Sequence, residues 1–157
     1  MLCDPRQFEG KPYVSGSHDC YGSFRDLFLA ATGEILPDFA RPEGWWDHPD
    51  LNLIEDYFSL AGFEDTGFTV NGARPMHVLL FAVASSKINH IGLYLGNGQF
   101  FHHQYQRLSI IEPLDGSWKS RCVKVLTHAN AKQHAMGNLQ QHFEKQPIYA
   151  KRRWLRG

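Results

Sequence analysis

The stretch Asn89-His90-Ile91-Gly92-Leu93-Tyr94-Leu95-Gly96-Asn97-Gly98-Gln99-Phe100-Phe101-His102-His103 narrows the possible folds more than any other part of the chain. Two runs rich in apolar and aromatic residues flank Gly96-Asn97-Gly98, and Asn-Gly supplies the two positive-φ residues of a tight hairpin turn. The chain is therefore expected to reverse there, with Ile91–Leu95 and Gln99–His103 as neighbouring antiparallel strands. Counting outward from the turn sets Tyr94 and Leu95 against Phe100 and Phe101, which brings His90 and His102 near one another.

Upstream the period changes. Phe24, Leu27, Phe28 and Ala31 recur at three- and four-residue intervals, the apolar stripe of an amphipathic helix expected from about Cys20 to Thr32, with Gly33 where helices stop. Residues 1–19 are rich in Gly, Pro, Ser and His and read as a loop leading to Cys20. A Pro- and Gly-bearing loop holding Trp45-Trp46 precedes a second helix expected near Pro49–Ala61 and capped by Gly62. Further strands are expected at Val78–Ala84, Leu108–Glu112 and Val123–Leu126, then a helix from about Ala129 to Glu144 ended by Pro147. A helix first and an antiparallel sheet second predict one α+β domain over residues 1–127, with 128–157 as a helical extension ending in a basic tail.

Composition matters here for what it excludes. A chain of 157 residues with 43% hydrophobic side chains builds one sizeable core without staples. Sixteen basic against sixteen acidic residues leave no net charge and no general attraction to nucleic acid. The exception is Lys151-Arg152-Arg153-Trp154-Leu155-Arg156, read as a solvated terminus or a peptide that packs on a neighbour in preference to a nucleic-acid site. Neither a secretory leader nor an apolar run of about 18 residues stands out, so no membrane insertion is expected and synthesis in a cytoplasm is. Cys3, Cys20 and Cys122 are odd in number and widely spaced, unlike a disulfide framework.

The chemistry gathers on Cys20, His90 and His102. A thiol is nucleophilic as the thiolate, and a helix N-terminus lowers its pKa, so Cys20 is the expected nucleophile and its amide a candidate oxyanion donor. Gly22 is expected to leave room for a substrate backbone. His90 is placed to act as general base and acid, and His102 to hold its tautomer as a third member. His103 would point to the opposite face of a regular strand, and a bulge would exchange it with His102. Asp19 is an N-cap candidate, or a carboxylate that orients the loop. Tyr13 either directs its hydroxyl into the cleft or packs. Trp45-Trp46 either anchors the loop or offers a shelf for sugar or peptide. Cys3 and Cys122 read as packing residues, and His18, His48, His77, His128, His134 and His142 as surface or loop histidines. A zinc site from His18, Cys20 and a hairpin histidine lacks the tight ligand spacing metals use, so no metal or other cofactor is expected.

Pro12-Tyr13, Asp19-Cys20-Tyr21-Gly22 and the 89–103 hairpin together resemble the NlpC/P60 cysteine peptidases, and most closely their tail-tip versions in long-tailed bacteriophages. Arg25-Asp26, Leu36-Pro37-Asp38, Arg107-Leu108-Ser109 and Trp118 add to the phage likeness, which covers residues 10–127. The resemblance implies a papain-like core in which the cysteine-bearing helix packs on the antiparallel sheet. It also implies Cys20 as nucleophile, His90 as base and His102 as third residue, with Tyr13, Asp19, Tyr21, Trp45, Trp46 and His103 as candidates to line the substrate cleft. The implied substrate is a peptidoglycan stem peptide cut beside a D-amino acid, often between D-γ-glutamyl and diaminopimelate. The implied setting is the virion tail tip acting at the bacterial wall, among other tail proteins. Tyr21 stands where a serine is usual, and Met76-His77 where Gly-Asp usually precedes the sheet. An assembly subunit with a latent site, or an amidase or acyltransferase on the same fold, are the rival expectations.

Overall fold

The stripe from Phe24 to Ala31 forms helix α1, Cys20–Thr32. Asp19 caps it, with Oδ1 accepting the Gly22 N–H at 2.8 Å, and Gly33 ends it in the left-handed conformation. The structure is a computed structural model that describes residues 3–129. His134, His142, the basic tail and nearly all of the helix expected over 129–144 lie outside that range. Helix α2 spans Leu53–Leu60, and six strands follow: β1 Glu64–Asp65, β2 Val78–Phe81, β3 His90–Gly96, β4 Gln99–His102, β5 Ile110–Pro113 and β6 Cys122–Thr127. A short helix α3, Gly116–Arg121, joins the last two. The strands form one sheet in the order β1-β6-β2-β3-β4-β5 with every neighbour antiparallel, so the α+β expectation holds.

Both faces of this sheet are covered. Val78, Leu80, Ile91, Leu93 and Phe101 pack with Phe24, Leu27, Phe28 and Phe58 of the helices. Leu79, Phe81, Phe100 and Val125 pack on the other side with Leu114 and Trp118. A strand buried on both faces loses the polar half of its alternation, which is why Val78–Phe81 reads as a continuous apolar run.

The hairpin turns at Asn97 (φ 53°) and Gly98 (φ 73°) as expected. Counting outward from the turn sets Leu95 against Phe100 and Tyr94 against Phe101, but an irregularity between Tyr94 and Gly96 absorbs Leu95, so Tyr94 faces Phe100, Leu93 faces Phe101 and Gly92 faces His102. His90 then lies two residues along from Gly92, diagonal to His102 on the same face. Gly92 permits this close layer: a Cβ there would come within 2.8 Å of the Phe100 ring.

Other boundaries moved for local reasons. The second helix starts at Leu53 rather than Pro49, because the carbonyls of Trp45, His48 and Leu51 are engaged by the Lys87 ammonium at 3.4, 2.5 and 2.7 Å. Strand β2 stops at Phe81, short of Ala84, which takes φ 48°. Strand β5 begins at Ile110 rather than Leu108. Strand β1 has two charged residues and α3 one buried side chain, so neither carries a period that sequence reading finds. Met76 adopts φ 74°, and His77 Nδ1 accepts the Arg74 N–H at 3.0 Å, the bond an aspartate would make there. His128, read as a surface or loop histidine, follows β6 outside regular structure and is buried against Phe28 and Phe63. Among the described residues no helix is long and apolar enough to cross a membrane.

Candidate active site

Cys20 is the first residue of α1, and the backbone amides of Tyr21 and Ile91 oppose the rise in its pKa. The helix packs against β3, so its start lies near His90. Cys20 and His90 line one cleft of about 360 Å³ together with Asp19, Tyr13, Trp45, Trp46 and His103. His90 Nε2 lies 2.8 Å from His102 Nδ1, which commits that nitrogen and leaves Nδ1 outside this bond. His102 is closed off from solvent at 1% exposure. Phe100 stacks on its ring at 4.4 Å and Trp118 meets it edge-on at 4.7 Å. It is thus His102, and not His103, that meets His90.

Electrostatics sets the resting protonation. Burial, then the Asp19 charge, pushes the Cys20 thiol up to about 12, against the lowering pull of Arg41 and the two amides. The expected lowering at the helix N-terminus is therefore outweighed by desolvation. Burial, followed by His102 and His103, holds His90 well below the range of a free imidazole. Burial and then His103 take His102 down to about 3. The resting arrangement is a neutral thiol beside neutral imidazoles.

Asp19 has both roles expected of it. Oδ1 caps the helix, while Oδ2 accepts from Gly16 N–H at 3.2 Å and from Arg41 Nε at 2.7 Å. Arg41 also donates to the Gly16 carbonyl at 2.8 Å and to the Asp38 carboxylate at 3.0 Å, so a buried ion pair holds the loop before Cys20. Gly22 leaves room for the chain itself rather than for a substrate, since a Cβ there would overlap the Ser17 carbonyl. Tyr21 turns away from the cleft: its hydroxyl donates to the Pro37 carbonyl at 2.5 Å and its ring packs among Phe24, Phe39 and Phe58.

Trp45 is a buried anchor that also borders the cleft, with the Lys87 ammonium 5.6 Å from its ring centre. Trp46 is half-buried and forms a lip with Tyr105, ring centres 5.0 Å apart, which continues to Tyr13 at 5.2 Å. Tyr13 therefore both packs and faces the cleft, and burial, with Cys20 second, raises its pKa. His103 points toward α1, where Ser23 Oγ donates to Nδ1 at 2.6 Å and its own Nε2–H donates to the Arg107 carbonyl at 2.8 Å. Sequence reading missed Arg41, Lys87, Asn89, Gln104 and Tyr105. Asn89, adjacent to His90, carried the one positional hint; it bonds both the N–H and the carbonyl of Val83 at 2.8 Å, shaping the cleft wall. Among the described residues no three His, Cys, Asp or Glu side chains converge as metal ligands.

The sequence pattern of the NlpC/P60 family matches residues 10–127. The chain is 34% identical over 119 residues to the tail tip assembly protein K of Escherichia phage lambda, covering 76% of this chain and 58% of that protein. To the protein of the same name in Escherichia phage N15 it is 29% identical over 124 residues, covering 78% and 49%. The chain thus spans roughly half the length of these relatives. Among solved structures, the NlpC/p60 domain of peptidoglycan hydrolase SagA is similar with TM-score 0.52 at 19% identity, covering 78% of this chain and 92% of that one. The peptidoglycan hydrolase RipB of Mycobacterium tuberculosis is similar with TM-score 0.52 at 18% identity, covering 79% and 60%. At such identities the likeness is one of fold.

Proposed function

Because this chain belongs to the NlpC/P60 family, we propose that it is a cysteine endopeptidase of peptidoglycan stem peptides, acting at a phage tail tip. The observation that carries this reading is the cleft shared by Cys20 and His90, with His90 Nε2 held 2.8 Å from His102 Nδ1. The preferred bond is D-γ-glutamyl to diaminopimelate, as the resemblance implies. After synthesis in the host cytoplasm the protein enters the tail and acts at the wall, during genome entry.

The chemistry follows from the neutral resting pair. His90 Nδ1 takes the thiol proton as Cys20 sulfur adds to the carbonyl carbon, and the Cys20 amide donates to the oxyanion. The imidazolium then gives that proton to the leaving amine, the C–N bond breaks, and a thioester remains on Cys20. Water, deprotonated by His90, hydrolyses the thioester and restores the thiol. The Trp46–Tyr105–Tyr13 lip offers a polar-edged aromatic surface to the peptide.

The test is digestion of purified Gram-negative peptidoglycan by the wild type and by Cys20→Ala, with fragments read by mass spectrometry. Stem-peptide fragments from the wild type alone are expected, and equal fragments from both proteins sink the reading. A second reading, an assembly subunit with a latent site, is favoured by the thiol held at about 12 and by the name of the phage relatives. In that reading residues 128–157 form a docking element for other tail proteins. Particles carrying Cys20→Ala would then assemble and infect normally, whereas particles lacking 128–157 would not assemble.

A further inference from the structure

The line of imidazoles does not end at His102. Its Nε2 is shielded from solvent and lacks a hydrogen bond of ordinary geometry, while Glu112 Oε2 lies 3.4 Å away. A buried ring nitrogen without a partner is costly, so a slight turn of the carboxylate that completes the bond is favoured. Glu112 sits on β5 opposite Phe100, while His102 sits opposite Ile110, so Glu112 is diagonal to His102 just as His90 is on the other side. Its second oxygen, Oε1, accepts the Trp118 indole N–H at 2.6 Å. The carboxylate is therefore aimed by one bond and available for the other.

We propose that Glu112 is a positioning residue that sets the tautomers of His102 and His90, and through them the basicity presented to Cys20. A carboxylate only accepts, so His102 carries its proton on Nε2 and presents a lone pair at Nδ1. His90 then must donate from Nε2, and its Nδ1 is left as a lone pair for the thiol proton. The opposite tautomers would direct an N–H at the sulfur and leave no base. Once His90 is protonated, the Glu112 charge also supports the imidazolium through His102.

The substitution that discriminates is Glu112→Gln, which keeps size and shape. Trp118 needs an acceptor, so the glutamine carbonyl faces the indole and its NH₂ faces His102 Nε2. That inverts the line: His102 becomes protonated at Nδ1 and donates to His90 Nε2, and His90 carries its proton on Nδ1. Adding Trp118→Phe frees the amide to turn and returns the wild-type tautomers. Ring-nitrogen NMR of histidine-labelled protein at neutral pH reads each state directly. Expected are Nε2–H on both rings in the wild type, Nδ1–H on both in Glu112→Gln, and reversal in the double variant. A wild type protonated at Nδ1 of His102, or a Glu112→Gln protein with wild-type tautomers, overturns the proposal. The kinetic arm rests on the hydrolase reading: kcat for stem-peptide cleavage is expected to fall by about a hundredfold in Glu112→Gln with KM little changed. If the wild type cleaves nothing, the hydrolase reading fails while the tautomers still decide the role of Glu112.

Discussion

At the residue scale, two side chains hold the loop that delivers Cys20 to the helix. Asp19 was legible as an N-cap because an acidic residue directly before an apolar stripe has a local meaning. Its partner Arg41 lies twenty-two residues away in a loop, where no period or spacing connects the two. Both side chains are nearly fully buried, so removing the guanidinium strands a buried carboxylate. Arg41→Leu is expected to lower stability by about 3 kcal/mol in urea unfolding; a loss below about 1 kcal/mol would show that the carboxylate finds other partners. The thiol carries a second consequence. With its pKa raised to about 12, Cys20 has little thiolate at neutral pH. Its alkylation by iodoacetamide, followed by peptide mapping, is expected to climb steadily between pH 7 and pH 10. A plateau already reached below pH 7 would mean that a thiolate–imidazolium pair is present at rest.

At the element scale, the hairpin was the most legible part of the chain, since Asn97-Gly98 and the flanking runs fix a turn and a pairing partner. The one-residue error at Leu95 came from an irregularity that no sequence period encodes. His90 and His102 meet in spite of it, because they are joined across a diagonal rather than directly. The rest of the cleft was illegible for a different reason: Asn89, Gln104 and Tyr105 sit in loops whose placement depends on packing between elements. Two substitutions test the element arguments. Gly92→Ala forces a methyl against Phe100 and is expected to destabilise by about 1–3 kcal/mol in thermal unfolding. Met76→Gly relieves a left-handed φ worth about 1–2 kcal/mol. It also empties a buried site worth about 2–5 kcal/mol, so a net loss of stability is expected. A more stable Met76→Gly protein would show that strain outweighs packing there.

For the whole molecule, three imidazoles held neutral make stability depend on pH. His90, His102 and His103 all have pKa values lowered from 6.5, chiefly by burial. Below pH 6.5 the unfolded chain binds protons that the folded chain refuses, so stability is full above that pH and is lost as pH falls. His102 alone, at about 3 when folded against 6.5, contributes a loss of about 2 kcal/mol at pH 5. The melting temperature is expected to drop by about 4–8 °C between pH 7.5 and pH 5 on this account. His102→Gln, which still bonds His90 but does not titrate, is expected to flatten that slope. An unchanged slope would assign the acid sensitivity to other groups. The two-sided burial of the sheet has one more consequence. Cys20 belongs to the layer packed under α1, while His90 and His102 lean on Phe81, Phe100 and Trp118 in the opposite layer. Cys20 and His90 thus straddle the seam between two cores, and neither core alone brings them together. On the proposed mechanism, a nascent chain with a single layer in place would hold a sulfur without its base, and cleavage would wait until the last face has closed.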